Sequence, residues 1–251
     1  MRPILSAALL ATLLAGGAQA ATFNLIFNLP DAVTESQREV VARAETLVES
    51  TILGYQDDIV IDAVEIDVGT FDEGPGGTLA TAGPDETVER AGRILPTAGS
   101  VDFDVADLAP LEADGTLFDV FVHEVAHVLG FGTLWAVNGL SQPGSGTYTG
   151  ALGLAAYRAE FDPDATFIPV ELEFGPGTAD SHWDEDWAGG INELMTGFID
   201  APVFASATTV ATFEDLGYVT TGALVAPIPL PASAWLLLAG LGALGLRRRA
   251  T

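Results

Sequence analysis

The chain has 251 residues, with 35 acidic residues against nine arginines, no lysine and no cysteine, for a net charge of −26. Such a field disfavours nucleic acid and anionic membrane as partners. The absence of cysteine removes disulfides and thiolate zinc ligands together, so the folded domain is held by its core, with or without metal ions.

The first segment, Met1 to Ala20, carries an early Arg2, an apolar stretch through Leu14 and the small-residue ending Ala18-Gln19-Ala20. That three-part layout is a secretory signal peptide, and Ile4 to Ala15 is too short for a membrane span. A strand is expected over Phe23 to Leu29, then a helix from Thr34 to Ser50. Thr34 and Gln37 have capping-box spacing, and Val40, Val41, Ala44, Leu47 and Val48 recur at helical spacing. Ala63 to Val68 alternates apolar and acidic residues, as a half-buried strand does. Gly69 to Pro84 reads as loop with a short strand near Leu79. Val101, Phe103 and Val105 alternate with Asp102 and Asp104 and predict another strand. Strand, helix, strand and further strands imply a mixed sheet with helices packed on it, an α+β class.

Thr116 to Leu129 is the next helix. Phe118, Val122, Val125 and Leu129 fall in one arc at about 100° per residue, which places His123 and His127 on the opposite, exposed side. Gly139 to Gly150 is polar and glycine-rich, Ala151 to Ala159 a short helix, and Phe161 to Thr178 loop. Ser206 to Leu216 is a helix stopped by Gly217. Pro227 to Ser233, rich in proline, precedes an apolar stretch and then Arg247, Arg248 and Arg249. Taking 21–226 as the single folded domain removes four arginines and no acid, leaving five arginines against 35 acids, a net charge of −30. That charge favours solubility, bound divalent cations or life in salty water.

Only three histidines occur, and they form a pattern. His123-Glu124-x-x-His127 puts two imidazoles one turn apart on one helix face, the spacing for two ligands on one tetrahedral ion. Glu124 beside them is placed as general base for a metal-bound water. Gly130 follows where a helix must stop if the chain is to reach a distant third ligand. Two positions compete for that ligand. Glu160 with Asp164 imitates a downstream glutamate, but Pro163 interrupts the helix it would need. His182 gives three neutral nitrogens and an open fourth position. Asp180, Asp184, Glu185 and Asp186 around it could orient its ring or bind Ca2+ as a second cofactor. Met195, in Asn192-Glu193-Leu194-Met195-Thr196-Gly197, reads alone as core filler.

On these residues the chain resembles the leishmanolysin-like branch of the metzincin metalloproteases. The resemblance rests on His123-Glu124-x-x-His127-x-x-Gly130, on Ser181-His182-Trp183-Asp184-Glu185, on Glu193 to Gly197 and on Thr212 to Tyr218. The compact metzincin pattern has a histidine three residues after the glycine. Thr133 stands there, and 51 residues separate Gly130 from His182. A long insertion at that point is a mark of the leishmanolysin-like branch.

The resemblance implies a twisted mixed sheet with helices in an upper subdomain. It implies an irregular lower subdomain with a C-terminal helix, and a zinc cleft between the two. It implies Zn2+ on His123, His127 and His182, Glu124 as base, Met195 as a supporting turn, and protein or peptide substrates. The last 25 residues resemble PEP-CTERM sorting tails in their Pro-Leu-Pro-Ala variant. That implies transient membrane anchoring, an exosortase-type partner, and export to the surface of a Gram-negative bacterium. The rival from another class is an acidic surface-anchored binding or matrix protein with a structural or vestigial metal. Glu124 argues against it, since a structural site needs no base.

Overall fold

The computed structural model describes residues 23–57 and 59–223. The expected signal peptide at 1–20 and the sorting segment at 227–251 lie outside these residues. No helix among the described residues is long and apolar enough to cross a membrane.

The capping box at Thr34 forms in both directions: Gln37 N–H donates to Thr34 Oγ1 at 3.2 Å, and Thr34 N–H donates to Gln37 Oε1 at 3.0 Å. It starts α1 (Glu35–Thr51) directly after β1 (Leu25–Asn28). β2 (Ile52–Tyr55) continues from α1, and β3 (Val64–Phe71) returns parallel to β1. β4 (Ala80–Arg90) and β5 (Arg93–Asp104) form one long hairpin. The four-stranded sheet has the order β1-β3-β5-β4, parallel except for the edge strand β4. The fold is therefore α+β with a mixed sheet.

Two sequence expectations change here. The glycine-rich segment gives way at Ala80 to an eleven-residue strand, much longer than the short strand expected near Leu79. Gly83-Pro84 reads as a breaker, yet it sits on an edge strand, where proline's missing N–H faces no partner. Register shifts beside Pro84 absorb the misfit. The alternation through Val105 also ends early. Asp104 Oδ1 accepts from Ala106 N–H at 2.9 Å, and this cap opens α2 (Val105–Asp114) with Val105 exposed.

α3 (Leu117–Val128) lies on the sheet, with the Phe121 ring 5.4 Å from Phe27 and 6.0 Å from Phe103. Gly99 of β5 makes the close approach possible. A Cβ there would stand 2.6 Å from Val128 Cγ1. The second half is mostly turns around β6 (Thr147–Tyr148), α4 (Ala151–Glu160) and β7 (Ile168–Pro169). α5 (Ala207–Leu216), capped by Ser206 and stopped at Gly217 with φ of 116°, leads into β8 (Tyr218–Thr220). β8 pairs antiparallel with β2, so the end of the domain is stitched to the end of α1. Tyr218 Oη then donates to Leu129 O at 3.0 Å, tying this strand to the end of α3.

Candidate metal centre

The sequence predicts α3 with one buried and one exposed face. The structure buries both. His123, Glu124 and His127 are each about 5–6 % exposed, whereas Phe118 on the predicted apolar stripe is only half-buried. The reason is tertiary: the segment from Thr178 to Met195 covers the histidine face. Periodicity registers the first layer that a helix packs on and is silent about a second.

α3 ends where the glycine predicts. Gly130 has φ of 108°, and two hydrogen bonds close a Schellman motif: Gly130 N–H to His127 O at 3.1 Å and Phe131 N–H to Ala126 O at 3.0 Å. The turn swings the Phe131 carbonyl back to accept from His127 Nδ1 at 3.0 Å. Thr133, where the compact pattern has histidine, instead donates from Oγ1 to His127 O at 2.6 Å.

His182 does fold back to the helix. Its segment lies between two others as a short ladder. On one side Glu171 N–H donates to His182 O at 3.0 Å, and on the other Trp183 N–H donates to Met195 O at 3.0 Å. Gly132 supplies the clearance. Its φ is 70°, and a Cβ there would stand 2.2 Å from Ser181 O and 2.7 Å from Ser181 Cα, with backbone on both sides and nothing free to yield. Below, Trp183 stacks on Trp135 and on Trp187 at centroid separations of 5.0 and 5.3 Å, and Phe131 meets both Trp135 and Trp183 edge-on. Each such ring pair is worth about 0.5–1.5 kcal/mol beyond its buried area. One aromatic cluster therefore braces the residues that follow both His127 and His182.

The three Nε2 atoms form a triangle 3.0 Å on each side. Each Nδ1 faces a backbone carbonyl: Leu194 O for His123 at 2.6 Å, Phe131 O for His127 at 3.0 Å, and Thr178 O for His182 at 2.9 Å. A carbonyl only accepts, so each Nδ1 carries the proton and each Nε2 presents a lone pair to the centre. Three lone pairs converging at this distance repel one another unless a cation lies among them. The usual zinc–nitrogen distance of about 2.0–2.1 Å fits a triangle of this size. Among the described residues, no other set of three histidine or acidic side chains brings its ligand atoms together in this way.

Burial and the neighbouring imidazoles hold His123 down to about 3 and push His127 well below the ordinary histidine value. Burial lowers His182 as well. All three rings are therefore neutral, the ligating form. Glu124 is the counterpart. Burial alone pushes its carboxyl up to about 8, and no group among the described residues hydrogen-bonds it. A buried carboxyl without a partner is costly, and such groups concentrate at functional sites.

The other predicted site residues have definite places. Met195 is fully buried and lines, with Leu194, Ala126, Leu129 and Phe213, an apolar cavity of about 40 Å³ behind α3. Glu160 is nowhere near the triangle, because its carboxylate accepts from Ala207 N–H and Thr208 N–H at the start of α5. The acids around His182 do not orient its ring, a role that Thr178 O takes. Asp180, Asp184 and Glu185 bind instead the amides of Gly144, Asp186 and Gly197. The three orienting carbonyls and Gly132 escape sequence reasoning. Carbonyls have no residue signature, and for Gly132 the only signal is a second glycine two positions after Gly130.

Curated proteins and solved structures give no match to the chain. The sequence profile of the leishmanolysin peptidases, a family of zinc metalloproteases, matches residues 85–226, more than half of the chain. That span holds the hairpin from within β4 onward and α3, the return of His182, the turn at Met195 and α5, and with them all three histidines of the triangle. The chain belongs to the leishmanolysin family.

Proposed function

We propose that the protein is a zinc-dependent endopeptidase of the metzincin kind, with residues 21–226 as its protease domain. His123, His127 and His182 hold the metal, and the observation that carries the reading is the convergence of three unprotonated Nε2 atoms at 3.0 Å. Zinc in that position supplies Lewis-acid polarisation of the scissile carbonyl and a more acidic water. Glu124 takes the proton of the attacking water on its carboxylate and passes it to the leaving amine nitrogen, so that water and peptide become a carboxylate and an amine. The three carbonyls keep the imidazoles in one tautomer and one orientation. Met195 supports the floor of the site from within the core. The substrate cleft runs between the sheet with α1 and α3 above and the turns around His182 below.

The terminal segments complete the proposal: export through a signal peptide at 1–20, and sorting at the cell surface by an exosortase-type enzyme acting on 227–251. Their sequence patterns support this reading.

The pH dependence tests the base. Glu124 works deprotonated, so raising its pKa moves the acid limb of kcat/KM upward in pH. Burial alone places that limb at about 8, and a dication beside the carboxyl draws it down. The limb is expected between 4.5, the ordinary glutamate value, and about 8. Zinc content measured at each pH separates this from metal loss. Full activity at pH 4 with zinc retained contradicts the assignment.

A further inference from the structure

Glu193 is 1 % exposed, and the ion pair found among the described residues joins Arg93 to Asp57 elsewhere. A carboxylate buried without a cation is expensive unless hydrogen bonds satisfy it. Four donors do so here. Oε1 accepts from Ser206 N–H at 2.8 Å, Ser206 Oγ at 3.0 Å and Thr209 Oγ1 at 2.7 Å, and Oε2 accepts from Met195 N–H at 2.7 Å.

Two routes lead from this carboxylate to the metal triangle. By the first, Oε2 fixes the peptide between Leu194 and Met195, and the carbonyl of that peptide is the acceptor for His123 Nδ1 at 2.6 Å. By the second, Thr209 Oγ1 donates to Glu193 and accepts from Trp183 Nε1 at 2.8 Å, the indole next to His182. Trp183 N–H also donates to Met195 O, which closes the two routes into one network. His127 stands outside it, oriented by Phe131 O at the end of its own helix.

We propose that Glu193 is a positioning residue for the metal centre, fixing His123 through Leu194 O and His182 through Thr209 and Trp183. This rests on the three histidines being metal ligands. It assigns to Glu193 the task of setting two corners of the triangle against the third. A glutamine at 193 keeps the shape but turns one acceptor into a donor. The amide then confronts either Met195 N–H or the three donors on Oε1.

The test measures zinc dissociation constants on the full chain by competition with a chromophoric chelator. The absorption bands of the cobalt(II)-substituted protein report the ligand geometry. Glu193→Gln and Thr209→Val are expected to weaken zinc binding about 10–100-fold, the usual effect of losing an outer partner of a ligand, and to alter the cobalt bands. Thr209→Ser, which keeps the hydroxyl, is expected to match the wild type in both. Asp215→Asn is the control for a merely structural role. Asp215 is a buried carboxylate of similar construction, accepting from Tyr148 Oη, Leu152 N–H and Gly153 N–H, but it touches no group that faces an imidazole. That variant is expected to lower Tm while zinc affinity and cobalt bands stay as in the wild type.

Wild-type zinc affinity and cobalt bands in Glu193→Gln or Thr209→Val, whatever their Tm, overturn the proposal. If Glu193→Gln does not fold, the isosteric Thr209→Val decides. A wild-type chain that binds no zinc overturns instead the metal reading beneath it.

Discussion

Glu124→Gln is expected to keep its zinc and to lose about 10²–10⁴-fold in turnover, the range that a positioned general base supplies. The substitution removes one property only. Size and burial are conserved, but an amide cannot take a proton from water. The carboxyl has no hydrogen-bond partner among the described residues, so no structural contact is broken, and burial already disfavours its charge. Tm is therefore expected to stay level or rise, which separates loss of chemistry from loss of fold. The comparison requires zinc content and casein cleavage from the same preparation. Cleavage near the wild-type rate with zinc in place would remove Glu124 from the mechanism.

His182→Ala has the second large effect, on metal retention. Two histidines on one helix remain, and one corner of the 3.0 Å triangle is gone. Losing a direct ligand costs more than losing an outer partner, so zinc affinity is expected to fall by more than about 100-fold, or about 2.7 kcal/mol. Activity falls with it. Glu160, the sequence-level competitor, does not stand ready as a substitute, because its carboxylate is committed to the first amides of α5. Titration with zinc against a competing chelator gives the number. Wild-type zinc content in this variant would mean that the third ligand lies elsewhere.

The parts of the fold legible in the sequence are those with local causes. α1 follows from its capping box and its apolar spacing, α5 from Ser206 and Gly217, and the stop of α3 from Gly130. The parts not legible depend on partners distant in sequence. β4 carries Gly83-Pro84, which only an edge position tolerates, and β2 needs β8. α2 begins where the side chain of Asp104 outcompetes an alternating pattern that would have continued the strand.

The site divides in the same way. His123, Glu124, His127 and His182 stand out in the sequence by type and spacing, whereas Met195 reads alone as core filler and takes a supporting role only from the family resemblance. The groups that make the imidazoles usable are backbone carbonyls of Leu194, Phe131 and Thr178, placed by turns whose residues carry no shared signature. Burial of the histidine face was also beyond the pattern, since it comes from a segment some 50 residues downstream, the 51 between Gly130 and His182. Glu193 belongs to the recognisable motif around Met195, yet its task is visible only in the four donors that surround it.

On the proposed function, three histidines hold one zinc ion that this chain uses to hydrolyse peptide bonds. The direct measurement is casein hydrolysis by the purified protein, with bound zinc quantified, before chelation, after chelation and after zinc is restored. One zinc per chain is expected, with hydrolysis that disappears with the metal and returns with it. Hydrolysis that persists after the zinc has been removed, or a zinc-loaded protein that cleaves nothing, would contradict it.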